Sequence, residues 1–558
     1  MDEQYKQFVE MIRMAYTASG IPVTYPEPVY REEIVPGENG EKLFTFCYFP
    51  EAEGIFPVIV QRHPYAHLGM DIVNKIAGEE FAKRGFIYVC QHCRGTGNSE
   101  GEWVPNEHER ADGMKLVNWV AEQPWCGNVG IMGESYLSLV GWVIADVVPD
   151  KVKAMYLGNY GADRFTSIYK DGMFRHDIIT SWTMENAGVK IDADYLESCR
   201  YRPQIEVDEK MWGHRIEWYR DYLRNSDRDS PYWAEGMWKE LSEIPSRIKV
   251  PIYVADQWYD HHFGSAVYSY EKLSEQSKAH STFCIGGLNH FGQPCLQDRD
   301  VSKAGLNGAA EELEWFEMTL KKGELPPARV RTYLINRDTW REWKSWPIPA
   351  DEVSRLQFSA QRDGAVYGLS AAPVQGEISF IYDPENPVPS HGAESMLHTK
   401  EAIGSLLQPE AGWRDDVISF FSEPFEEEKE ILGKIKVRLY VSTDAEDTAF
   451  TVKVMEVMPD GKAYNIRSTA TTIAAQKEDY IPGEIVELNF EMWEINWMLN
   501  EGSRLRIDIS SSDFPQYNIH SNFKGPWYEQ METKKAKQHI WCGKDTPSVI
   551  EIPIHTAK

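Results

Sequence analysis

A short apolar run, Val129-Gly130-Ile131-Met132, passes through Gly133-Glu134-Ser135 straight into residues 136–148, a stretch that is apolar almost all round. A helix without a polar face must be buried on every side, and the connection leaves no slack between strand and helix. That combination asks for a sheet with helices packed on its faces. The neighbouring chain supplies one. Residues 56–60 and 86–90 read as buried strands, with a helix at 70–84 between them, which makes a βαβ unit and therefore a parallel sheet. Residues 250–255 and 282–286 add two further strands, and 309–321 reads as a closing amphipathic helix before Leu325-Pro326-Pro327 breaks the pattern.

Two segments depart from this alternation. Between 160 and 245 Trp, Tyr, Arg, Asp and Met dominate and strand-like runs disappear, so a helical insertion is expected there. Beyond 328 the period becomes two: Ile435, Val437, Leu439 and Val441 alternate with Lys436, Arg438 and Tyr440, as Leu505, Ile507 and Ile509 do with Arg504, Arg506 and Asp508. Half-buried antiparallel strands follow, arranged as a β-sandwich. A chain of 558 residues has room for three such units. The expected division is a catalytic unit at 1–159 and 246–325, a helical cap at 160–245, and a β domain at 326–558.

Charge and composition narrow the function. The formal net charge of −28 would repel a phosphate backbone, so nucleic acid is not an expected partner. The N-terminus lacks the basic and apolar regions of a signal peptide, and no apolar run approaches the roughly 20 residues that span a bilayer. Eight scattered cysteines suit a reducing compartment, and a cytoplasmic protein without membrane partners is expected. Cys90-x-x-Cys93 has no second pair or histidine at zinc spacing, so no metal is expected there.

The only literal G-x-S-x-G is Gly97-Asn98-Ser99-Glu100-Gly101, in a glycine-rich loop followed by Glu102-Trp103-Val104-Pro105 rather than by a helix. A nucleophile elbow needs a strand before the serine and a helix after it. Ser135 has both, Ser99 neither, so Ser99 is read as structural. A serine hydroxyl needs an imidazole to take its proton and an acid to fix the imidazole tautomer. Asp260 closes the strand after the insertion, with Asp256 as a competitor, and His290 closes the next strand, with His261 and His262 as competitors. The order Ser, Asp, His and the strand ends agree with a hydrolase sheet.

These segments resemble the cocaine esterase and X-Pro dipeptidyl-peptidase (CocE/NonD) family of serine hydrolases, which includes α-amino acid ester hydrolases. Its elbow G-x-S-Y-x-G is matched by residues 133–138 except that Ser138 replaces the last glycine; its G-W-Y-D appears as Gln257-Trp258-Tyr259-Asp260; its I-G-P-W-x-H resembles Ile285-Gly286-Gly287-Leu288-Asn289-His290. The loop at 94–101 and the segments at 437–444 and 511–515 are similar too, whereas Asn518-Ile519-His520-Ser521-Asn522 departs from the family's Arg-Asn. The resemblance implies an α/β hydrolase fold with an inserted helical cap and a C-terminal jelly-roll β-sandwich. It implies Ser135, Asp260 and His290 as catalytic residues, and an oxyanion hole from the Tyr136 backbone N–H and the Tyr65 hydroxyl.

The expected activity is hydrolysis of a small-molecule ester or amide through an acyl-enzyme, with no cofactor or metal. Trp182, Trp212, Trp218 and Tyr219 would give the cap an apolar character. An X-Pro dipeptidyl-peptidase, an α-amino acid ester hydrolase or an acyltransferase is the alternative, with Glu185, Asp192, Asp194 and Glu197 as acids that could hold an ammonium group. A glycan-binding protein with an inert hydrolase half is a further alternative, and a homo-oligomer stays open.

Overall fold

The computed structural model describes residues 3–396 and 402–556. After α1 (Glu3–Thr17) the chain forms β1 (Val29–Pro36), β2 (Lys42–Phe49), β3 (Phe56–His63), α2 (Met70–Lys83), β4 (Ile87–His92), α3 (Glu109–Glu122), β5 (Cys126–Glu134), α4 (Tyr136–Trp142) and β6 (Val152–Gly158). The cap follows, opening on a two-stranded ribbon, β7 (Tyr169–Lys170) and β8 (Met173–Phe174), and continuing through α5 (His176–Asn186) and further short helices. The chain then returns as β9 (Ile252–Tyr259), β10 (Thr282–Asn289), β11 (Arg329–Leu334) and β12 (Thr339–Trp343).

Ten of these strands make one sheet in the order β1-β2-β4-β3-β5-β6-β9-β10-β11-β12, parallel from β4 to β11. Every residue of β4, β9 and β10 is buried, as expected of parallel strands covered on both faces. The architecture is an α/β hydrolase fold with an inserted helical cap.

Two expectations change. Strands β11 and β12 lie past the expected boundary at 325, yet they extend the first sheet. Pro326-Pro327 turns the chain onto the exposed edge of β10 instead of ending the unit, and the indole N–H of Trp258 on β9 donates to the Tyr333 carbonyl at 2.7 Å. The helix expected over 136–148 ends at Trp142, and the chain tightens into i→i+3 hydrogen bonds from Ile144, Ala145 and Val147. Asp146 is drawn outward to Arg110 and Arg247, both at 2.8 Å, and Arg110 also occupies the Val143 carbonyl that a longer helix would use.

The C-terminal unit is the jelly-roll β-sandwich, with 11 strands among the described residues in one hydrogen-bonded network, in which Lys429–Thr443 pairs along its length with Val486–Leu499. The alternation read in the sequence places Ile435, Val437, Leu439 and Val441 in its core. Arg467 ties the unit to the hydrolase sheet by donating to the Trp258 carbonyl at the end of β9. Asn518, in the segment that departs from the family pattern, accepts the Phe174 N–H of the cap ribbon at 2.8 Å, so it joins cap to sandwich.

Candidate active site

The strand-to-helix turn after β5 bends sharply at Ser135, whose φ of 57° and ψ of −129° are an uncommon conformation for a residue with a side chain. The turn is so tight that a Cβ on Gly133 would meet the Leu137 carbonyl oxygen at 2.3 Å, which explains the glycine. Ser138, where the family has glycine, is fully buried and its hydroxyl has no hydrogen-bond partner among the described residues. Ser99 is taken up in structure: its hydroxyl donates to the His92 carbonyl and accepts from the Phe44 N–H, each at 2.9 Å.

Ser135, Asp260 and His290 are brought together. The Ser135 Oγ lies 2.9 Å from His290 Nε2, and His290 Nδ1 lies 2.7 Å from Asp260 Oδ2. Asp260 is fully buried and its other oxygen accepts the His262 N–H at 2.6 Å. A carboxylate at Nδ1 places the ring proton there and leaves the Nε2 lone pair facing the serine. Asp256 does not reach the histidine. One of its oxygens accepts the Gln257 N–H and the other has no partner, and burial together with the Asp260 charge pushes its carboxyl well up.

Of the two expected oxyanion donors, the Tyr136 N–H opens α4 and has no intrahelical acceptor. Its phenol is engaged elsewhere, donating to Glu109 at 3.1 Å and accepting from the Asn106 N–H at 2.8 Å. Tyr65 is buried against Tyr136 and lines the same cavity as Ser135. The indole N–H of Trp182 on α5 donates to the Tyr65 oxygen at 3.0 Å, leaving the Tyr65 proton free for another acceptor. Burial raises the Tyr65 phenol far above its ordinary value, which keeps that proton in place. The sequence marks Trp182 only as one of several cap aromatics, and nothing local to it signals this contact with Tyr65.

The Nε2 atoms of His63 and His92 lie 3.2 and 2.9 Å from Asp71 Oδ1, and that of His92 is hydrogen-bonded to it. Their Nδ1 atoms accept the backbone N–H groups of Tyr65 and Asn98, so each Nε2 carries the proton. The cluster has metal-ligand composition, but these lone pairs are already used, His63 bracing the backbone at Tyr65 and His92 at Asn98. Cys90 and Cys93 are buried free thiols.

The cavity over Ser135 holds about 30 Å³ and is walled by Tyr65, Tyr136, Trp182, Ile178, Ile179 and Met396 on its apolar side. His261 and His262, read as competitors of His290, line it too; burial drives both well below the ordinary imidazole range, so they stand neutral beside the His290 ring. Among the other cap aromatics, Trp212 and Tyr219 pack against each other and Trp218 against Trp182, away from the cavity. Glu185, Asp192, Asp194 and Glu197 are exposed, and Asp194 caps a short helix through the Glu197 N–H. Gln257, where the family has glycine, accepts the Leu288 N–H between β9 and β10. A larger cleft of about 1130 Å³ lies between cap and sandwich and contains none of Ser135, Asp260 and His290. Among the described residues no helix is long and apolar enough to cross a membrane.

The chain matches known proteins in two blocks. Residues 39–292 match the X-Pro dipeptidyl-peptidase (S15 family), and residues 310–551 match the X-Pro dipeptidyl-peptidase C-terminal non-catalytic domain. Cocaine esterase from Rhodococcus sp. (strain MB1 Bresler) is 25% identical over 570 residues, covering 93% of this chain and 97% of that protein. Two solved structures share the fold at a TM-score of 0.79. One is an aminopeptidase from a marine sediment archaeon, Thaumarchaeota archaeon, 19% identical over 96% of this chain and 97% of its own. The other is an α-amino acid ester hydrolase, 21% identical over 96% of this chain and 98% of its own. With an elbow serine between sheet and helix and both halves of the chain matched, the protein belongs to the S15/CocE family of serine hydrolases.

Proposed function

We propose that the chain hydrolyses an ester, or a reactive amide, of a small acyl substrate through Ser135, His290 and Asp260. The Ser135 oxygen attacks the carbonyl carbon as His290 Nε2 takes its proton, and the tetrahedral oxyanion lies between the Tyr136 N–H and the Tyr65 hydroxyl. The carbon–oxygen or carbon–nitrogen bond then breaks, His290 returns the proton to the leaving group, and an acyl-serine remains. Water repeats the sequence, giving its proton to His290 and releasing the acid. Asp260 keeps the ring oriented and offsets the charge on the imidazolium. The relay at 2.9 and 2.7 Å is the observation that carries this reading.

An aminopeptidase or α-amino acid ester hydrolase needs an acid beside the scissile bond to hold an ammonium group. The four cap acids that could serve are on the outer surface, which favours the ester reading. A panel of p-nitrophenyl esters against Xaa-Pro and amino-acid p-nitroanilides tests it. Turnover confined to the esters is expected; turnover confined to substrates with a free α-ammonium would overturn the ester assignment.

A further inference from the structure

The same cavity contains a cation that the proposed chemistry does not use. Arg164 enters from the start of the cap and borders the cavity together with Ser135, Tyr160 and His262. It is only 7% exposed, and its guanidinium donates from Nη1 to the Tyr160 hydroxyl at 2.5 Å and is engaged by the Tyr222 side chain, both neutral phenols. The group lies over the Tyr222 ring at 5.3 Å, and its buried Nε has no partner.

What sets Arg164 apart is the treatment of comparable arginines elsewhere in this chain. Arg62 pairs with Glu109, Arg94 with Asp112, Arg220 with Asp208 and Arg506 with Asp508, all at 2.6–2.8 Å. Arg175, also close to the site, is taken up by the carbonyls of Thr166, His261 and Glu394. Arg164 has no carboxylate within 4 Å among the described residues. The adjacent Asp163 turns away and gives both oxygens to Arg228, at 3.1 and 2.9 Å. The facing histidines, 261 and 262, are neutral and supply no counter-charge. A guanidinium taken out of water without an anion is costly, and its fork of donors matches a carboxylate.

We infer that Arg164 is a substrate-recognition residue, and that the substrate carries a carboxylate near its scissile ester or amide, as in a dicarboxylic acid half-ester. The bound carboxylate completes the ion pair that the chain leaves open, and a cationic wall repels an α-ammonium. The inference rests on the proposed acyl hydrolysis.

The test compares monomethyl glutarate and monomethyl adipate with the corresponding dimethyl esters, which share the acyl skeleton without the charge, following acid release in a pH-stat. Wild-type protein is expected to favour the half-esters in kcat/KM by on the order of 10- to 100-fold, the range for a hydrogen-bonded charge pair. In Arg164→Gln that ratio should fall to near one, and in Arg164→Lys, which keeps the charge but not the fork, it should be intermediate. No preference for the half-esters in the wild type, or a ratio unchanged in Arg164→Gln, would overturn the inference. Labelling of wild-type Ser135 by a fluorophosphonate separates the two levels: a labelled serine without charge preference removes only the role of Arg164, whereas absence of labelling overturns the hydrolytic reading and this inference with it.

Discussion

The contact between Trp182 and Tyr65 makes a prediction that a double-mutant cycle reads directly. Removing one oxyanion donor typically slows turnover by about 10² to 10³, or about 2.7–4 kcal/mol, and Tyr65→Phe is expected to fall in that range. Trp182→Phe deletes a single neutral hydrogen bond of 3.0 Å to the Tyr65 oxygen while a ring still stacks on Tyr136. One such bond contributes about 0.5–1.5 kcal/mol, which translates into a loss of roughly 2- to 13-fold at 1.36 kcal/mol per decade. Because the indole N–H acts through the Tyr65 hydroxyl and phenylalanine keeps a ring in the cavity wall, nothing is left to orient once that hydroxyl is gone. The double variant should therefore be no slower than Tyr65→Phe alone, with a coupling energy equal to the whole Trp182→Phe effect. The assay is kcat/KM on a p-nitrophenyl ester for the four proteins, with circular dichroism to establish that each is folded. Multiplying effects would refute the reasoning, since they would mean that Trp182 serves the reaction by another route.

Two further predictions concern stability. Ser138→Ala removes a buried hydroxyl without a partner and should raise the urea midpoint, by about 1 kcal/mol of stability; a lower midpoint would mean that the hydroxyl is satisfied in solution. Burial lowers His176 to about 3, against about 6.5 unfolded. As pH falls below 6.5 the unfolded chain takes up a proton that the folded chain refuses, so stability drops by about 1.4 kcal/mol per pH unit until pH 3. His176→Gln should flatten the fall in urea midpoint between pH 6.5 and 4.5, and an unchanged slope would mean that His176 is charged in the fold.

The parts of this site that are local in the chain were legible without the structure. The strand, the glycine and the apolar helix around Ser135 are contiguous, and Asp260 and His290 each close a strand whose buried run is plain in the residues. The β alternation at 435–441 was legible for the same reason: one face packs and the other does not. What stayed hidden depends on contacts between distant segments. Trp182 and Tyr65 lie 117 residues apart, and nothing near either announces the other. The helix after Ser135 ends early because Arg110 and Arg247 pull on Asp146, which no period in the sequence encodes. Pro326-Pro327 carried a true signal of a break, but a break in the chain is not a break in the sheet. Arg164 looks like any arginine until the absence of an acid around it becomes visible. The net charge of −28 plays no part in the proposed chemistry.

The central claim is that Ser135 is the nucleophile. It is tested most directly by intact-mass analysis after incubation with a fluorophosphonate, followed by peptide mapping. A single adduct on the Ser135 peptide, absent in Ser135→Ala and strongly slowed in His290→Ala, is the expected result. An adduct that persists in Ser135→Ala, or that maps to Ser99, would contradict the account.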